Sequence, residues 1–501
     1  MKFIDNLLNR ITMYRLMLYY LIGLVLVSVI LALFGAISYN PLAIIFSASY
    51  ITFVTYLSNK IFSRIFSAPT NVESVYITAL ILTMIVSPEL TATNLLFMGG
   101  AGILSTASKY ILAIGKKHIF NPAAISVVLT GIFFRQYASW WLGSLALLPY
   151  VVIGGLLIAR KIKRGKMVLY FILSTVLTVI IFTLFNGGNA TTLLKSVFLH
   201  SAFFFFAFVM FTEPFTTPVT SGYQILYGIL VGYLYAPVLH FGNLYFAAET
   251  ALCFGNIFSY LVSPKEKLIL RLTQKIKLSL DVWEFIFPLK KKLAFVPGQY
   301  MEWTLPHGHS DNRGNRRYFT LASSPTEKDL RIAVKFNNPS SSFKKAMLKN
   351  DQIAAGNRAG NFTLPNDKNE NLVFMAGGIG ITPFRSMIKY LLDKGEARDI
   401  ILMYSNKFAG DVVFKDLFDQ ATTIGLRTIY TITDTEKVPA TWKGKVGRVD
   451  ANMLINEIPD YKERKFYISG PHAMVEAFKA TLKNIGIAKS KIKEDFFPGY
   501  V

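Results

Sequence analysis

The pattern of hydrophobic and polar positions changes once along this chain, near residue 262. Before that point, long apolar runs alternate with short polar loops, and most runs approach the roughly 20 residues that a helix needs to cross a bilayer. This pattern predicts a polytopic α-helical membrane bundle over residues 1–262. The ten predicted spans are about 14–36, 42–59, 73–87, 93–111, 123–136, 140–159, 167–185, 194–211, 223–241 and 244–262.

After residue 262 the pattern becomes typical of a water-soluble protein. Alternation with a period of two, as in Leu268–Leu272 and Ile276–Leu280, predicts antiparallel strands, and we expect a small β-barrel over 266–366. Over 370–501 the repeated order of strand, glycine loop and helix predicts a doubly wound α/β domain with parallel strands. Its predicted strands are Leu372–Ala376, Ile400–Ser405, Arg427–Thr431 and Lys465–Ser469.

Charge supports this division and predicts an orientation. Residues 1–262 carry 15 Lys and Arg with 5 Asp and Glu, whereas residues 263–501 carry 38 and 25. If the N-terminus lies inside, the basic loops around Lys60, Lys117 and residues 160–166 also lie inside, as cytoplasmic loops of membrane proteins do. We therefore expect a multi-pass protein of the cytoplasmic (inner) membrane, in contact with lipid, whose N-terminus and soluble half are cytoplasmic.

Composition also excludes several classes of site. The chain has a net charge of +23. Much of the excess of positive charge in the first half lies in short loops between apolar runs, where it sets the orientation of a membrane protein, so we expect no nucleic acid partner. The single cysteine, Cys253, excludes an intrachain disulfide framework and an all-thiolate metal cluster built by this chain alone. Three histidines of the first half, His118, His200 and His240, lie on separate segments, which disfavours a haem held by paired histidines. We predict no metal site.

A first group of candidate binding residues lies on a predicted barrel strand, Arg317-Tyr318-Phe319-Thr320. It resembles the Arg-x-Tyr-Thr/Ser flavin motif of the ferredoxin–NADP reductase superfamily. The resemblance implies bound FAD, with Arg317 at the pyrophosphate, Phe319 against the flavin and the Thr320 hydroxyl near flavin N5. Other residues at positions that match this superfamily are Gly298, Gln299, Tyr300, Gly360 and Phe362.

A second group follows a predicted strand and precedes a helix. Glycines at this position let the backbone approach dinucleotide phosphates at the helix N-terminus. With a later Ser-Gly-Pro, where the same superfamily usually has Cys-Gly-Pro, the group resembles that superfamily's nicotinamide site and implies NAD(P)H as the reductant. The residues are Gly377, Gly378, Gly380, Thr382, Pro383, Ser469, Gly470 and Pro471.

The resemblance also implies catalytic roles for Thr320, Ser469 and Phe497, with Phe497 or Tyr500 shielding the flavin face. The choice between NADH and NADPH stays open, because Lys407 could meet a 2′-phosphate or remain solvated.

The membrane half contains a third motif, His118-Ile119-Phe120-Asn121-Pro122, and a fourth, Thr212-Glu213-Pro214. They resemble two signatures of the Rnf complex D subunit and of its Nqr-type relative in the sodium-pumping NADH:quinone reductase, with Glu213 in place of Asp. This resemblance implies FMN esterified through its phosphate to a threonine, and Thr191 is the matching residue, in a predicted outer loop over 186–191. Thr192 is the competing residue. A flavin transferase is the implied partner, and His118 and Asn121 are candidate flavin-binding residues.

Together these resemblances imply a membrane-bound FAD-dependent oxidoreductase. Electrons would pass from cytoplasmic NAD(P)H through FAD to covalent FMN, and then to an acceptor such as a quinone or an extracytoplasmic flavoprotein. Two alternatives remain open at this point: an NAD(P)H:quinone reductase without covalent FMN, and a transporter whose soluble half senses redox state.

Overall fold

The described residues fall into two compact units, the first containing those up to Ser263 together with Asn315 and the second containing the others from Leu268 onward. The computed structural model describes residues 8, 11–66, 72–114, 117–238, 240–241, 244–245, 247–263, 268–305, 307, 315–336 and 340–497. Each unit has its own hydrophobic core.

The first unit is helical, as predicted. Several helices begin at a side chain that accepts a backbone hydrogen bond, such as Asn40, which accepts from Leu42 N at 2.8 Å. Its helices are α1 (Met13–Leu33), α2 (Pro41–Ile65), α3 (Val72–Ile85), α4 (Ala92–Ile111), α5 (Pro122–Phe134), α6 (Leu148–Lys161), α7 (Gly165–Asn186), α8 (Ala190–Leu199), α9 (Phe203–Phe205, continued by a π-helix over Phe206–Met210), α10 (Ser221–Tyr235) and α11 (Ala248–Val262). Two short hairpins pair β1 (Ala113–Ile114) with β2 (Lys117–His118), and β3 (His240–Phe241) with β4 (Leu244–Tyr245).

Three of the described helices, α1, α2 and α7, are long and apolar enough to cross a membrane. The number rises to four if α8 and α9, which meet at a bend of 64°, form one broken span. Helices α3 and α5 are apolar but shorter. Ten spans, and their orientation, therefore remain predictions.

The predicted span 140–159 is wrong over residues 140–147, because helix α6 begins only at Leu148. The preceding segment forms turns instead of a helix, with Gly143 N donating to Trp140 O at 2.9 Å and Ser144 N donating to Leu142 O at 2.8 Å. Its start is held by bonds from Ser139 N and Trp140 N to Ile85 O, at 2.9 and 3.0 Å. Trp140 also has a positive φ of 49°, which is incompatible with a continuous helix. An apolar run alone did not indicate this long-range bonding.

The second unit begins with antiparallel strands, as predicted, although the strands form two sheets. One has the order β10-β7-β6 and the other the order β5-β11-β8-β9. The two sheets contribute side chains such as Phe287, Trp303 and Ile332 to one core. The strands are β5 (Leu268–Arg271), β6 (Gln274–Lys277), β7 (Val282–Pro288), β8 (Tyr300–Thr304), β9 (Arg316–Thr320), β10 (Asp329–Lys335) and β11 (Gln352–Ala359), with helix α12 (Ser342–Lys349) before β11.

A six-stranded parallel sheet follows, with the order β15-β14-β13-β12-β16-β17. Alternate residues of its central strand enter different cores, Phe374 on one face and Met375 on the other, so both faces are covered as in a doubly wound fold. The strands are β12 (Leu372–Gly377), β13 (Ile400–Asn406), β14 (Leu426–Ile432), β15 (Lys445–Val446), β16 (Lys465–Pro471) and β17 (Ile492–Phe497), and the helices are α13 (Thr382–Lys394), α14 (Lys415–Gln420), α15 (Ala451–Glu457) and α16 (His472–Asn484).

Candidate functional site

The residues predicted to bind FAD meet where β8, β9 and β11 lie side by side. Tyr300 is the register partner of Thr320 on one side and of Ala359 on the other. The Gln299 side chain donates from Nε2 to the carbonyl of Gly360 at 3.4 Å. Three motifs that are distant in sequence are thus adjacent in the fold.

Two glycines allow this close approach. Gly298 has a φ of +93°, and a Cβ there would lie 2.1 Å from the carbonyl oxygen of Phe362. Gly360 has a φ of +116°, and a Cβ there would lie 3.2 Å from the Tyr300 ring. Larger residues would strain both turns and push them apart, so both positions require glycine.

Arg317 lies beside the start of a helix that sequence analysis did not include in the site. Its guanidinium carbon is 5.2 Å from the centre of the Phe343 ring, in the first turn of α12. Ser341 caps this helix by accepting from Lys344 N at 3.3 Å. A guanidinium next to a helix N-terminus favours an anion such as a pyrophosphate. The run of serines over 340–342 was the sequence signal for this cap.

The two aromatic residues of the flavin motif lie on opposite faces of β9. Phe319 is half-buried, with its ring 6.0 Å from that of Phe343. Tyr318 is 40% exposed and donates from its hydroxyl to Glu302 at 2.6 Å. Arg317 and Phe319 share the Phe343 side of the strand, and Tyr318 is a second accessible ring that the motif did not single out.

The residues predicted to bind the nicotinamide nucleotide lie at the carboxyl ends of β12 and β16. These strands are neighbours, with Ala376 paired to Ser469, and the order of the sheet reverses between them. Ligands of open α/β sheets bind in the crevice at such a switch point. A Cβ on Gly380 would lie 2.3 Å from Ser469 O, and one on Gly377 would lie 2.0 Å from the sulfur of Met474. The glycines therefore let the loop pack directly against the backbone at the end of β16 and against the Met474 side chain.

Ser469 is fully buried at this crevice, and its Oγ has no hydrogen-bond partner within the described residues. A buried hydroxyl without a partner is costly, so a polar group of a ligand would satisfy it. Thr382 instead bonds within the chain, donating to Ile379 O at 3.2 Å. Pro383 lies in the first turn of α13, and Pro471 caps α16.

Two other glycines of the predicted nicotinamide site differ in their surroundings. Gly378 has a φ of +51° and open space where its Cβ would be. Gly470 has the Met474 methyl 2.4 Å from the position of its Cβ. Phe497 pairs through its backbone with Pro471, but its side chain and all of Tyr500 lie outside the described residues. The Lys407 ammonium lies 4.9 Å from the centre of the Phe408 ring.

In the helical unit, the two membrane motifs meet around a buried asparagine. The backbone N–H of Asn121 donates to Asn256 Oδ1 at 2.7 Å, and Asn256 Nδ2 donates to Thr216 O at 3.2 Å. The His118 ring stacks on Phe215 with centres 5.4 Å apart, and its Nε2 lies 3.9 Å from Glu213 Oε1. Sequence analysis missed Asn256, which lies on α11 outside any motif.

A cavity of about 60 Å³ adjoins these motifs. Its polar lining includes Asn121, Thr212 and Glu213, and the rest is mainly apolar.

Thr191 does not lie in a loop, which corrects the prediction. Asn189 caps α8 by accepting from Thr192 N at 3.1 Å, so Thr191 lies in the first helical turn. Both threonines are exposed, and Lys195 lies one turn further along the same helix. Thr191 is therefore accessible for attachment of a flavin, although it lies in a helix and not in the predicted loop.

Residues 374–480 match the oxidoreductase NAD-binding domain family. The match covers most of the part of the second unit that contains the parallel sheet. The matched residues include the glycine loop and Ser469, and the match confirms the prediction of an NAD-binding oxidoreductase domain in this part of the chain.

Similar proteins are the flavohemoprotein of Bacillus cereus (strain ATCC 10987 / NRS 248), 27% identical over 219 residues, and the glycine betaine monooxygenase reductase subunit of Pseudomonas aeruginosa (strain UCBPP-PA14), 24% identical over 236 residues. The alignments cover 41% and 46% of this chain, and 54% and 64% of those proteins. The chain thus spans between about half and two thirds of the length of these relatives. A solved structure, the flavohem-like FAD/NAD binding domain of nitric oxide dioxygenase from Vibrio cholerae O1 biovar El Tor, aligns with a TM-score of 0.41 and 19% identity, covering 46% of this chain and 98% of that one.

Proposed function

We propose that this protein is a membrane-bound oxidoreductase that passes electrons from cytoplasmic NAD(P)H through FAD to a covalent FMN of the helical unit. The observation that supports the proposal is the packing between the two predicted nucleotide sites in the second unit. Phe362, in the predicted FAD segment, packs with its ring 5.6 Å from Phe384 of α13 and 5.3 Å from Tyr467 of β16. Both elements end or begin at the nicotinamide crevice.

The chain's own residues have clear tasks in this proposal. Arg317 and the N-terminus of α12 hold the FAD pyrophosphate, and the turns at Gly298 and Gly360 leave room for the cofactor against the backbone. The glycine loop and Ser469 hold the nicotinamide nucleotide. When bound, FAD accepts two electrons from NAD(P)H and can release them singly.

The helical unit supplies the second flavin in this proposal, at Thr191. Its hydroxyl is exposed in the first turn of a ten-residue helix, α8, where free backbone N–H groups and the helix dipole favour a phosphate. Lys195 adds a positive charge one turn away. His118 and Asn121 are proposed contacts to a flavin within the helical unit, and the protein requires a flavin transferase as a partner.

Covalent attachment is tested by in-gel flavin fluorescence of the denatured full-length chain, produced in a host that supplies a flavin transferase. We expect a fluorescent band in the wild type, no band in Thr191→Ala and a full band in the matched control Thr192→Ala. Mass analysis of the peptide that contains both threonines gives the attachment site directly.

A fluorescent band in Thr191→Ala and none in Thr192→Ala would show that the flavin is attached to Thr192. No covalent flavin in any variant, with the transferase shown to be active on another substrate, would refute a covalent FMN. The favoured function would then be an NAD(P)H:quinone reductase, with electrons leaving through the helical unit to a membrane quinone.

A further inference from the structure

A buried ion network links the segment after the flavin motif to the helix that begins at the nicotinamide loop. Arg385, the fourth residue of α13, is 7% exposed. Its Nη1 donates to the carbonyl of Ala322 at 2.9 Å. Its guanidinium also binds both carboxylate oxygens of Glu327, with Nη2 donating to Oε1 at 2.9 Å.

The two ends of this link lie close in sequence to residues of the two predicted nucleotide sites. Ala322 follows Thr320 by two residues, and Arg385 follows Thr382 by three. A second bond runs in parallel, from Ser386 Oγ to the carbonyl of Ser323 at 2.7 Å. Because only a few residues separate the link from either predicted site, we expect a change in the geometry of the link to displace both.

The network continues into the antiparallel sheet. Arg331 Nε lies 3.5 Å from Glu327, and Arg331 Nη1 lies 3.3 Å from Glu284. Glu284 is 3% exposed, and burial raises its pKa while the neighbouring Arg331 acts in the opposite direction. Strands β7 and β10, the segment after β9 and helix α13 are thereby held by one set of charges.

Stability alone is a weak reason for such a network. Burying charged groups costs desolvation, and well-packed apolar residues often stabilise a protein as much or more. A planar guanidinium that forms two hydrogen bonds to one carboxylate fixes the relative orientation of the two groups as well as their distance, whereas an apolar contact does not fix orientation. The network lies between the two predicted nucleotide sites. The rate of a reaction between two bound groups depends strongly on their relative position, so fixed geometry matters most there.

We propose that Arg385 is a positioning residue that sets the distance and angle between the bound nicotinamide and the flavin. This inference rests on the proposed reduction of FAD by NAD(P)H. In that step a hydride, one proton with two electrons, leaves the dihydronicotinamide and bonds to the flavin, which takes a second proton from water. Arg385 touches neither group and acts through Ala322, Glu327 and α13.

The test uses the full-length protein in detergent, with FAD reduction by NADH followed anaerobically in a stopped-flow instrument. We expect Arg385→Gln and Glu327→Gln to keep FAD and to bind NADH with a dissociation constant within about threefold of the wild type. The limiting rate of FAD reduction at saturating NADH should fall by about 30-fold to 100-fold, as expected for a displacement near 1 Å. Arg385→Lys, which keeps the charge but not the two-pronged bond, should recover part of the rate.

The chain provides a matched control in Arg464. This arginine is also buried, at 5% exposure, and binds both oxygens of Asp399 at 2.7 and 2.9 Å. It directly precedes β16, at the amino ends of the strands, whereas the predicted crevice lies at their carboxyl ends. Arg464→Gln should lower the melting temperature by an amount similar to Arg385→Gln and leave the limiting rate within twofold of the wild type.

Three results would overturn the inference. If Arg385→Gln lowers the melting temperature but leaves the limiting rate within twofold, Arg385 is only structural. If Arg385→Gln and Arg385→Lys both lose FAD, the residue serves cofactor retention and not positioning. If NADH and NADPH both fail to reduce the FAD of the wild type, the proposed function itself fails, and this result is seen before any variant is compared.

Discussion

Replacing Gly380 by alanine is predicted to slow flavin reduction by NAD(P)H. A Cβ at this position would lie 2.3 Å from the carbonyl oxygen of Ser469, 2.5 Å from its carbonyl carbon and 2.6 Å from the Cα of Gly470. All three are backbone atoms of β16, so no side-chain rotation can relieve the contact. The glycine loop and β16 must therefore move apart.

The size of the movement follows from these distances. Cβ contacts below 3.0 Å are essentially never seen, so the nearest pair must separate by about 0.7 Å. Overpacking of this kind typically costs about 1–3 kcal/mol of folding free energy. A displacement approaching 1 Å between groups that must react costs about 100-fold in rate. We expect the limiting rate of flavin reduction to fall between tenfold and 100-fold.

The assay is anaerobic stopped-flow reduction of the FAD by NADH and by NADPH, with the melting temperature measured in parallel. Gly395→Ala is the matched control, because Gly395 ends α13 with a φ of +60° and has open space where its Cβ would be. It should cost stability through backbone strain and leave the rate unchanged. An unchanged rate in Gly380→Ala, with the protein folded, would refute the assignment of this loop to the nicotinamide site.

Three further predictions concern other residues of the second unit. Gly378→Val should keep FAD and raise the Michaelis constant for the nucleotide in steady-state assays, because its side chain would enter the open space above the loop. Arg317→Ala should release FAD during gel filtration, since a charge-assisted contact contributes about 1.5–3 kcal/mol; retained flavin would place the pyrophosphate elsewhere. The hydrogen bond from Arg464 holds the pKa of Asp460 below its usual value, so their pairing stabilises the fold above about pH 4 and is lost as the pH falls. Arg464→Gln should therefore lower the melting temperature at pH 7 more than at pH 3, and an equal effect at both would contradict this linkage.

Local patterns predicted the parallel sheet well. Strands β12 and β16 lie within two residues of their predicted bounds, because a strand buried on both faces is a continuous apolar run and here each has a glycine at or next to its last residue. The edge strand β6 was placed less well, since all four of its residues are exposed and the apolar Leu278 and Leu280 follow it. Alternation identifies a strand only where one face is buried.

Sequence patterns did not predict the contacts between residues that are far apart in the chain. Arg385 binds Ala322 across 63 positions of sequence, and Asn256 binds Asn121 across 135. An arginine in a helix, or an asparagine in an apolar run, has no signature that specifies such a partner. Accessibility of Thr191 was predicted, but its helical conformation depended on the cap at Asn189.

The central claim is tested most directly by anaerobic titration of the purified full-length protein with NADH and NADPH, with the dissociable FAD and the covalent flavin followed separately. The account predicts that at least one nucleotide bleaches both flavins in the wild type, and that Thr191→Ala retains only the bleaching of FAD. Bleaching of neither flavin, in protein that contains both, would contradict it.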